Sequence, residues 1–531
     1  MKGQTRREFF KTAALGAAVI TTASAAIPMD VRGQEKIPFK LPQEVPPLQV
    51  RWIGAIEGSW KEMGIQYGQR CAKDIARNFD IMWRKDILNG AAPWQQRRTE
   101  EERGRYCALY LQRSARELAA FSPKLTEFME GIGEGAQKEL EKGKYADVCS
   151  NFLKILLLHH VTVEFHPDWD FSKDRPRSKQ IARAYIKSAR EDDCNTTWMT
   201  GKATKDGQTY ASRAAQSMSL APGGSGRERQ VAYVAIPKDP TARVFWGHGR
   251  AGNLGGLGGG LLNDQGVCCL TAGAQYKDAN EQPDETMAPG VKDFLLAING
   301  VIFCKTAREA AEMATVGTPE YRQSTGRKTV LRSRGANVVF GDPKEAYVVE
   351  QNARHYAIRT PGELGEKGKN YIISANHFKR TDGSFDENNV FGKDQPMTKY
   401  CPEKERDSSY YRFWTGMWFL NKNYGMMDQE LLMLDLVPAH YAYDKDGNRF
   451  DTDPQTGAPT VAGSFCSHTG KRSKENPLGT GGNVETSVFN LTTREVWWVP
   501  LWPCHYKEWN MDWNYLNINT FATYRQKVYG Y

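Results

Sequence analysis

Cys194 opens the stretch with the clearest capacity for chemistry. It follows the acidic run Glu191-Asp192-Asp193 and begins Cys194-Asn195-Thr196-Thr197-Trp198-Met199. Asp206-Gly207 then separates two alternating runs, which predicts a hairpin turn. The cysteine therefore heads a strand at the start of a hairpin, a layout suited to a nucleophile that becomes a new chain N-terminus. Such a residue supplies both a thiol to attack and a free α-amine to take its proton. With a thiol pKa of about 8.5 and an amine pKa of about 8, proton exchange costs roughly 1 kcal/mol or less, so no separate histidine base is required. The plain alternative is a small buried hydrophobe, the commonest role of a cysteine beside a strand.

Other chemistry-bearing groups are sparser. The chain has 9 histidines, and none forms an obvious Cys/His signature. His159, His160 and His166 cluster and could hold a metal, although paired histidines beside a strand are more often packing. The chain has 10 cysteines but no paired Cys-x-x-Cys elements, which argues against a structural zinc site. Cys268 and Cys269 are adjacent on a predicted strand and should point to opposite faces. The glycine-rich stretch 252–260 lacks the lysine of a phosphate loop and does not precede a predicted helix, so it reads as a flexible turn region. No cofactor and no metal are expected.

The ends and the composition set the frame. Thr5-Arg6-Arg7-Glu8-Phe9-Phe10-Lys11, then a small apolar run ending near Ala23-Ser24-Ala25, read as a twin-arginine export signal over residues 1–25. The run is too short and too interrupted for a comfortable membrane span. A periplasmic or secreted protein without stable membrane insertion is expected. Hydrophobic residues make up 40% and charged residues 25% of the chain, enough for a substantial core. The net charge of +9 comes partly from Lys2, Arg6, Arg7 and Lys11, and the remaining basic residues are scattered, so no nucleic-acid partner is expected.

The elements that must position Cys194 change texture along the chain. Val50 to Glu57 reads as a strand. Ser59 and Glu62 form a capping box for a helix running from Trp60 toward Met82. Glu100 to Glu141 and Ile155 to His160 are also helix-like. After Cys194, strand-like runs dominate: 231–236, 242–247, 266–272, 337–340, 346–351, 371–374 and 485–500. Helices are expected over Val291 to Ile298 and Thr306 to Ala314.

Several of these segments, taken in order, resemble the penicillin (isopenicillin-N) acyltransferase family of N-terminal nucleophile hydrolases, the linear amide C–N hydrolase type. They are the glycine-spaced helix Gly58 to Gly68; the Cys194 segment with Thr196-Thr197 and its Asp206-Gly207 hairpin; Leu262-Asn263-Asp264-Gln265-Gly266-Val267; Asn337 to Asp342 with Val348-Val349-Glu350; Asn376-His377-Phe378; and Phe465-Cys466-Ser467-His468 leading to Thr486 to Phe489 and Trp497-Trp498-Val499. The resemblance spans roughly residues 50 to 504. The hairpin is also similar to that of cysteine dipeptidases of the same superfamily.

The resemblance implies an α+β fold, a four-layer αββα sandwich with a mainly helical N-terminal segment. It implies self-cleavage before Cys194, giving an α chain (26–193) and a catalytic β chain (194–531). It implies that Asn376 supplies an oxyanion or amine-orienting amide and that Arg412 orients the cysteine site. Arg213 is the candidate for a similar role, and Asn263 could line the site. The implied substrate is a small-molecule or peptide amide. Two departures stand out: Asp193 replaces the usual glycine before the cysteine, and Gln216 replaces an aspartate that follows the hairpin in related enzymes. They keep open, beside an amidohydrolase or acyltransferase, a non-catalytic binding protein that retains the fold; the hairpin keeps open a cysteine dipeptidase of the same superfamily.

Overall fold

A computed structural model describes residues 51–88, 98–160, 169–173, 175–176, 194–217, 229–255, 260–274, 288–354, 356–364, 366–377, 408–453, 457, 461, 463–466, 468–469, 481–500, 502–504 and 513–531. The export signal, His166, the Glu191 to Asp193 run and Phe378 lie outside these residues.

The main strands, in chain order, begin with β1 (Arg51–Gly58), β2 (Cys194–Gly201), β3 (Gly207–Ser217), β4 (Gln230–Pro237) and β5 (Phe245–Arg250). Next come β6 (Leu261–Asn263), β7 (Cys268–Gly273), β8 (Ala336–Gly341), β9 (Ala346–Gln351) and β10 (Tyr356–Arg359). The last are β11 (Tyr371–Ser374), β12 (His468–Thr469), β13 (Gly481–Asn490), β14 (Glu495–Pro500) and β15 (Asn514–Asn517). Eight form one sheet in the order β1-β4-β5-β6-β7-β8-β9-β10. Seven form a second in the order β11-β2-β3-β13-β14-β15, with β12 on β13. The run 485–500, read as one strand, is a hairpin whose turn holds Arg494 at φ 61°. Segment 242–247 shifts to Phe245–Arg250.

The sheets lie face to face. Trp246 of the first meets Trp498 and Phe489 of the second, with ring centroids at 5.3 Å and 5.9 Å. Trp198 of β2 donates from Nε1 to the carbonyl of Asp342, just beyond β8, at 3.0 Å. Adjacent strand residues point to opposite faces, so Met199 and Tyr210 turn away from this interface.

Helices cover both outer faces. Helices α1 (Trp60–Met82), α2 (Glu100–Phe121), α3 (Pro123–Gly135) and α4 (Asn151–Leu157) precede Cys194. With α5 (Asp293–Phe303) and α6 (Ala307–Val316), they share one apolar cluster with Val231, Tyr233, Cys269, Val338 and Phe340 of the first sheet. Cys269 joins that cluster while a Cβ on Gly341 would face the Cys268 Sγ at 3.3 Å, so the two cysteines point to opposite faces as expected. Helix α7 (Ser408–Lys422) covers the second sheet, where Phe413, Met417 and Leu420 pack with Met199, Tyr210, Ile373 and Val488. The result is an α+β architecture layered helix, sheet, sheet, helix. Among the described residues no helix is long and apolar enough to cross a membrane.

Local signals set several of these boundaries. Ser59 Oγ accepts from Glu62 N while Glu62 Oε2 accepts from Ser59 N, the capping box that starts α1. The continuous helix expected over 100–141 breaks at Ser122-Pro123, where Ser122 caps the new helix and proline takes its first position. Strand β1 precedes Cys194 yet pairs parallel with β4, Arg51 opposite Val231 and Gly58 opposite Pro237.

Candidate active site

Register builds the site around Cys194. The residue is the first of β2, an inner strand, and lies opposite Ala215 of β3. Its side chain is 6% exposed and packs with Ala215 and with Ala272 of the facing sheet. On its other side β11 runs antiparallel to β2, with Ser374 opposite Thr196. Two residues further along that register, the chain brings Asn376 to Cys194.

Asn376 is buried and its amide is fixed at both ends. Its Oδ1 accepts from the Cys194 main-chain nitrogen at 2.6 Å and from Arg412 Nη2 at 2.7 Å. Its Nδ2 donates to the Gly273 carbonyl, at the end of β7, at 2.6 Å. Two donors on one side and an acceptor on the other determine which end of the amide is oxygen. Asn337 of β8 reinforces the placement, donating from Nδ2 to the carbonyls of Ala375 and His377 at 2.7 Å and 2.8 Å.

Arg412 enters from α7 and is fully buried. Besides Asn376 it reaches the Cys194 carbonyl from Nε at 3.3 Å and Ser408 Oγ from Nη1 at 2.9 Å. The rigid guanidinium fork thus grips the nucleophile candidate's own backbone and the amide that touches its nitrogen. Ser409 completes the support: its Oγ accepts from Asn376 N at 2.8 Å and lies 2.7 Å from His377 Nδ1. The sequence gives Ser408 and Ser409 no marker beyond their position at the start of a helix.

Arg213 lies apart from this grip. It is buried on β3, two residues from Ala215, and donates from Nε to the Thr271 carbonyl at 2.7 Å and from Nη2 to Thr271 Oγ1 at 3.2 Å. These hydrogen bonds tie the sheets together, from a strand position two residues from the partner of Cys194. Asn263 is likewise a scaffold residue. Its Nδ2 donates to the Val301 and Cys304 carbonyls and its Oδ1 accepts from Gln265 N and Val267 N, so it closes a turn onto the end of α5. The expectation that Asn263 lines the site is corrected.

A second polar group lies between the sheets beside Cys194. In register, Glu485 of β13 faces Ala215, which faces Cys194. His248 of β5 approaches from the other sheet, Nδ1 at 3.4 Å from Glu485 Oε1. Burial pushes the Glu485 carboxyl up to about 8, against the Arg213 charge that favours ionisation. Burial, reinforced by Arg213, holds His248 down to about 3. Both shifts run toward the uncharged forms, so burial works against an ion pair here. The sequence marks neither residue as a partner of the other, because 237 positions of chain separate them.

The His159 and His160 pair is packing. His159 Nδ1 lies 2.9 Å from the Ile155 carbonyl and its Nε2 accepts from Leu254 N at 3.1 Å, so both ring nitrogens are engaged within the fold. Burial holds it down to about 3. The described part of the glycine-rich stretch is a buried turn, with Gly252 N donating to Tyr67 Oη and Asn253 Nδ2 to the Leu158 carbonyl. These residues pack against the helical layer, and positions 256–259 lie outside the described residues.

No protein-family model matches the chain, and no curated protein does. Solved structures similar to it include a variant of conjugated bile acid hydrolase from Clostridium perfringens, at TM-score 0.32 and 12% identity over 61% of this chain and 92% of that one. Another is penicillin V acylase from Agrobacterium tumefaciens, at TM-score 0.31 and 9% identity over 58% of this chain and 83% of that one.

Proposed function

We propose that the protein is a cysteine amidohydrolase or acyltransferase that acts on a linear amide C–N bond through a thioester on Cys194. The supporting observation is the hydrogen bond from the Cys194 main-chain nitrogen to Asn376 Oδ1, within an amide locked by Arg412 and Gly273. A buried strand nitrogen normally meets a carbonyl of the neighbouring strand. Here it meets a side chain suited to hold a free α-amine with its lone pair toward the thiol.

In this reading the chain is exported by its twin-arginine signal and cuts itself between Asp193 and Cys194. The α and β chains stay together, joined through the β1–β4 pairing and the shared apolar cluster. The amine then takes the thiol proton, and Sγ attacks the amide carbonyl. The tetrahedral oxyanion needs fixed donors. Asn376 Nδ2 carries two hydrogens and gives one to Gly273, so the second is available for that task. Collapse expels the substrate amine with the proton from the α-ammonium and leaves an acyl–sulfur ester. Water or a second amine, deprotonated by the α-amine, releases the acyl group and restores the thiol. Arg412 acts as a positioning residue through Asn376 and the Cys194 carbonyl.

The test is a panel of N-acyl amides and dipeptides with purified protein, followed by mass spectrometry of the acyl-enzyme. Acyl mass on the fragment that begins at Cys194 supports the reading. Turnover of the panel with no acyl adduct, undiminished in Cys194→Ala, overturns it. Preference for dipeptides over N-acyl amides selects the dipeptidase form, and no turnover of any substrate selects the binding protein.

A further inference from the structure

Three side chains from separate stretches converge beside the end of the second sheet that carries Cys194. His440, Cys466 and Cys504 each bring one ligand atom, an imidazole nitrogen and two Sγ, to within 4.8 Å of one another. Cys466 and Cys504 are 0% and 2% exposed, and His440 is half-buried. Neither cysteine is in a disulfide. We propose that this trio is a metal site for a zinc-class divalent ion.

The ligand chemistry selects the ion. Two thiolates and an imidazole suit zinc and exclude calcium and magnesium, which take oxygen ligands. With zinc–sulfur bonds of about 2.3 Å and zinc–nitrogen bonds of about 2.0 Å, the edges of a tetrahedral site are roughly 3.5–3.8 Å long. The three atoms lie within 4.8 Å of one another, so an ion bound among them would have to draw the ligands inward by up to about 1 Å. The two thiolate charges balance a dication, which suits a position this deeply buried. The fourth position falls to water or to a further side chain.

The backbone around the trio is held independently of any ion. Cys466 N donates to the Ala439 carbonyl at 3.0 Å and Val461 N to the His440 carbonyl at 2.9 Å. Ser464 Oγ donates to the Cys466 carbonyl at 2.9 Å, and Asn483 Nδ2 of β13 donates to the Phe465 carbonyl at 3.3 Å. Cys504 follows closely on β14, which ends at Pro500 opposite Glu485. An ion there would staple the exit of β14 to the 439–466 segment. It would do so at the end of the sheet that carries the Glu485–Ala215–Cys194 row. The ligands are spread over 65 positions of chain, which is why the absence of Cys-x-x-Cys spacing does not reveal them.

The test uses the full chain, purified without added chelator and analysed for bound metal. Zinc at about one equivalent per chain is expected, retained in Cys194→Ala and lost in the Cys466→Ser, Cys504→Ser double variant. Replacement by cobalt should give the near-ultraviolet thiolate-to-cobalt absorption, weakened in His440→Ala. The wild-type measurements stand even if the double variant fails to fold. Less than a tenth of an equivalent of metal in the wild type, with no cobalt–thiolate band, overturns the site. So does a native Cys466–Cys504 disulfide in peptide mapping. Because the readout is metal content and not turnover, its failure leaves the amide-hydrolase reading untouched.

Discussion

Asn376 Oδ1 accepts a 2.6 Å hydrogen bond from the main-chain nitrogen of Cys194, across the register that pairs β11 with β2. One side chain thus touches the atom that becomes an α-amine if the chain is cut before Cys194. Asn376→Ala should lower turnover by about a hundredfold or more while the fold survives, since removal of one oxyanion donor has that scale. The pH–rate profile should also shift, because the amine loses its acceptor. Wild-type turnover and an unmoved profile would make Asn376 a scaffold residue.

Arg412 holds both Asn376 Oδ1 and the Cys194 carbonyl. Arg412→Lys keeps the charge but cannot reproduce two directed bonds. We expect kcat to fall by at least about tenfold with a smaller change in KM, the pattern of an interaction that matters in the transition state. A rise in KM alone would place Arg412 in substrate binding.

Glu485 gives stability a pH dependence of known sign. Its carboxyl is raised to about 8 in the fold, above its ordinary value near about 4.3 in the unfolded chain. Between those values the folded state holds more protons, so stability falls as pH rises through that window. His248, held down to about 3, acts in the opposite sense, and its contribution is lost as pH falls below about 6.5. Glu485→Gln should therefore raise the thermal midpoint more at pH 8 than at pH 4. Equal shifts at both pH values would mean that the fold does not raise the Glu485 carboxyl above its unfolded value.

The glycine-spaced helix has a packing reason. A Cβ on Gly64 would collide with the Phe128 carbonyl, and one on Gly68 with that of Ile132, while Gly131 and Gly135 answer from α3. Four glycines let α1 and α3 cross with backbones in contact. Gly64→Ala should cost about 1–3 kcal/mol by overpacking, read as a lower urea midpoint. An unchanged midpoint would show that the helices can part without loss.

What the sequence disclosed was local. The Ser59–Glu62 box announced α1, because capping depends on four consecutive residues. Asp206-Gly207 announced the β2–β3 hairpin, with Gly207 at φ 75° and Asp206 Oδ1 accepting from Gln208 N. Cys194 is legible from its place at the head of that hairpin, Asn376 and Arg412 through the family resemblance, and the structure brings the three together. Arg213 and Asn263 carry scaffold bonds, since a motif gives a residue's neighbours in sequence but not its partners in space. The Glu485–His248 pair, the parallel β1–β4 pairing and the His440–Cys466–Cys504 trio arise only when distant strands align, and no local pattern encodes them.

The measurement that bears most directly on the central claim is the intact mass and N-terminal sequence of the purified protein, with Cys194→Ala in parallel. The wild type should yield two chains, the larger beginning Cys-Asn-Thr-Thr-Trp, and the variant a single inactive chain. An active wild type that remains one chain, or amidase activity retained in Cys194→Ala, would contradict the account.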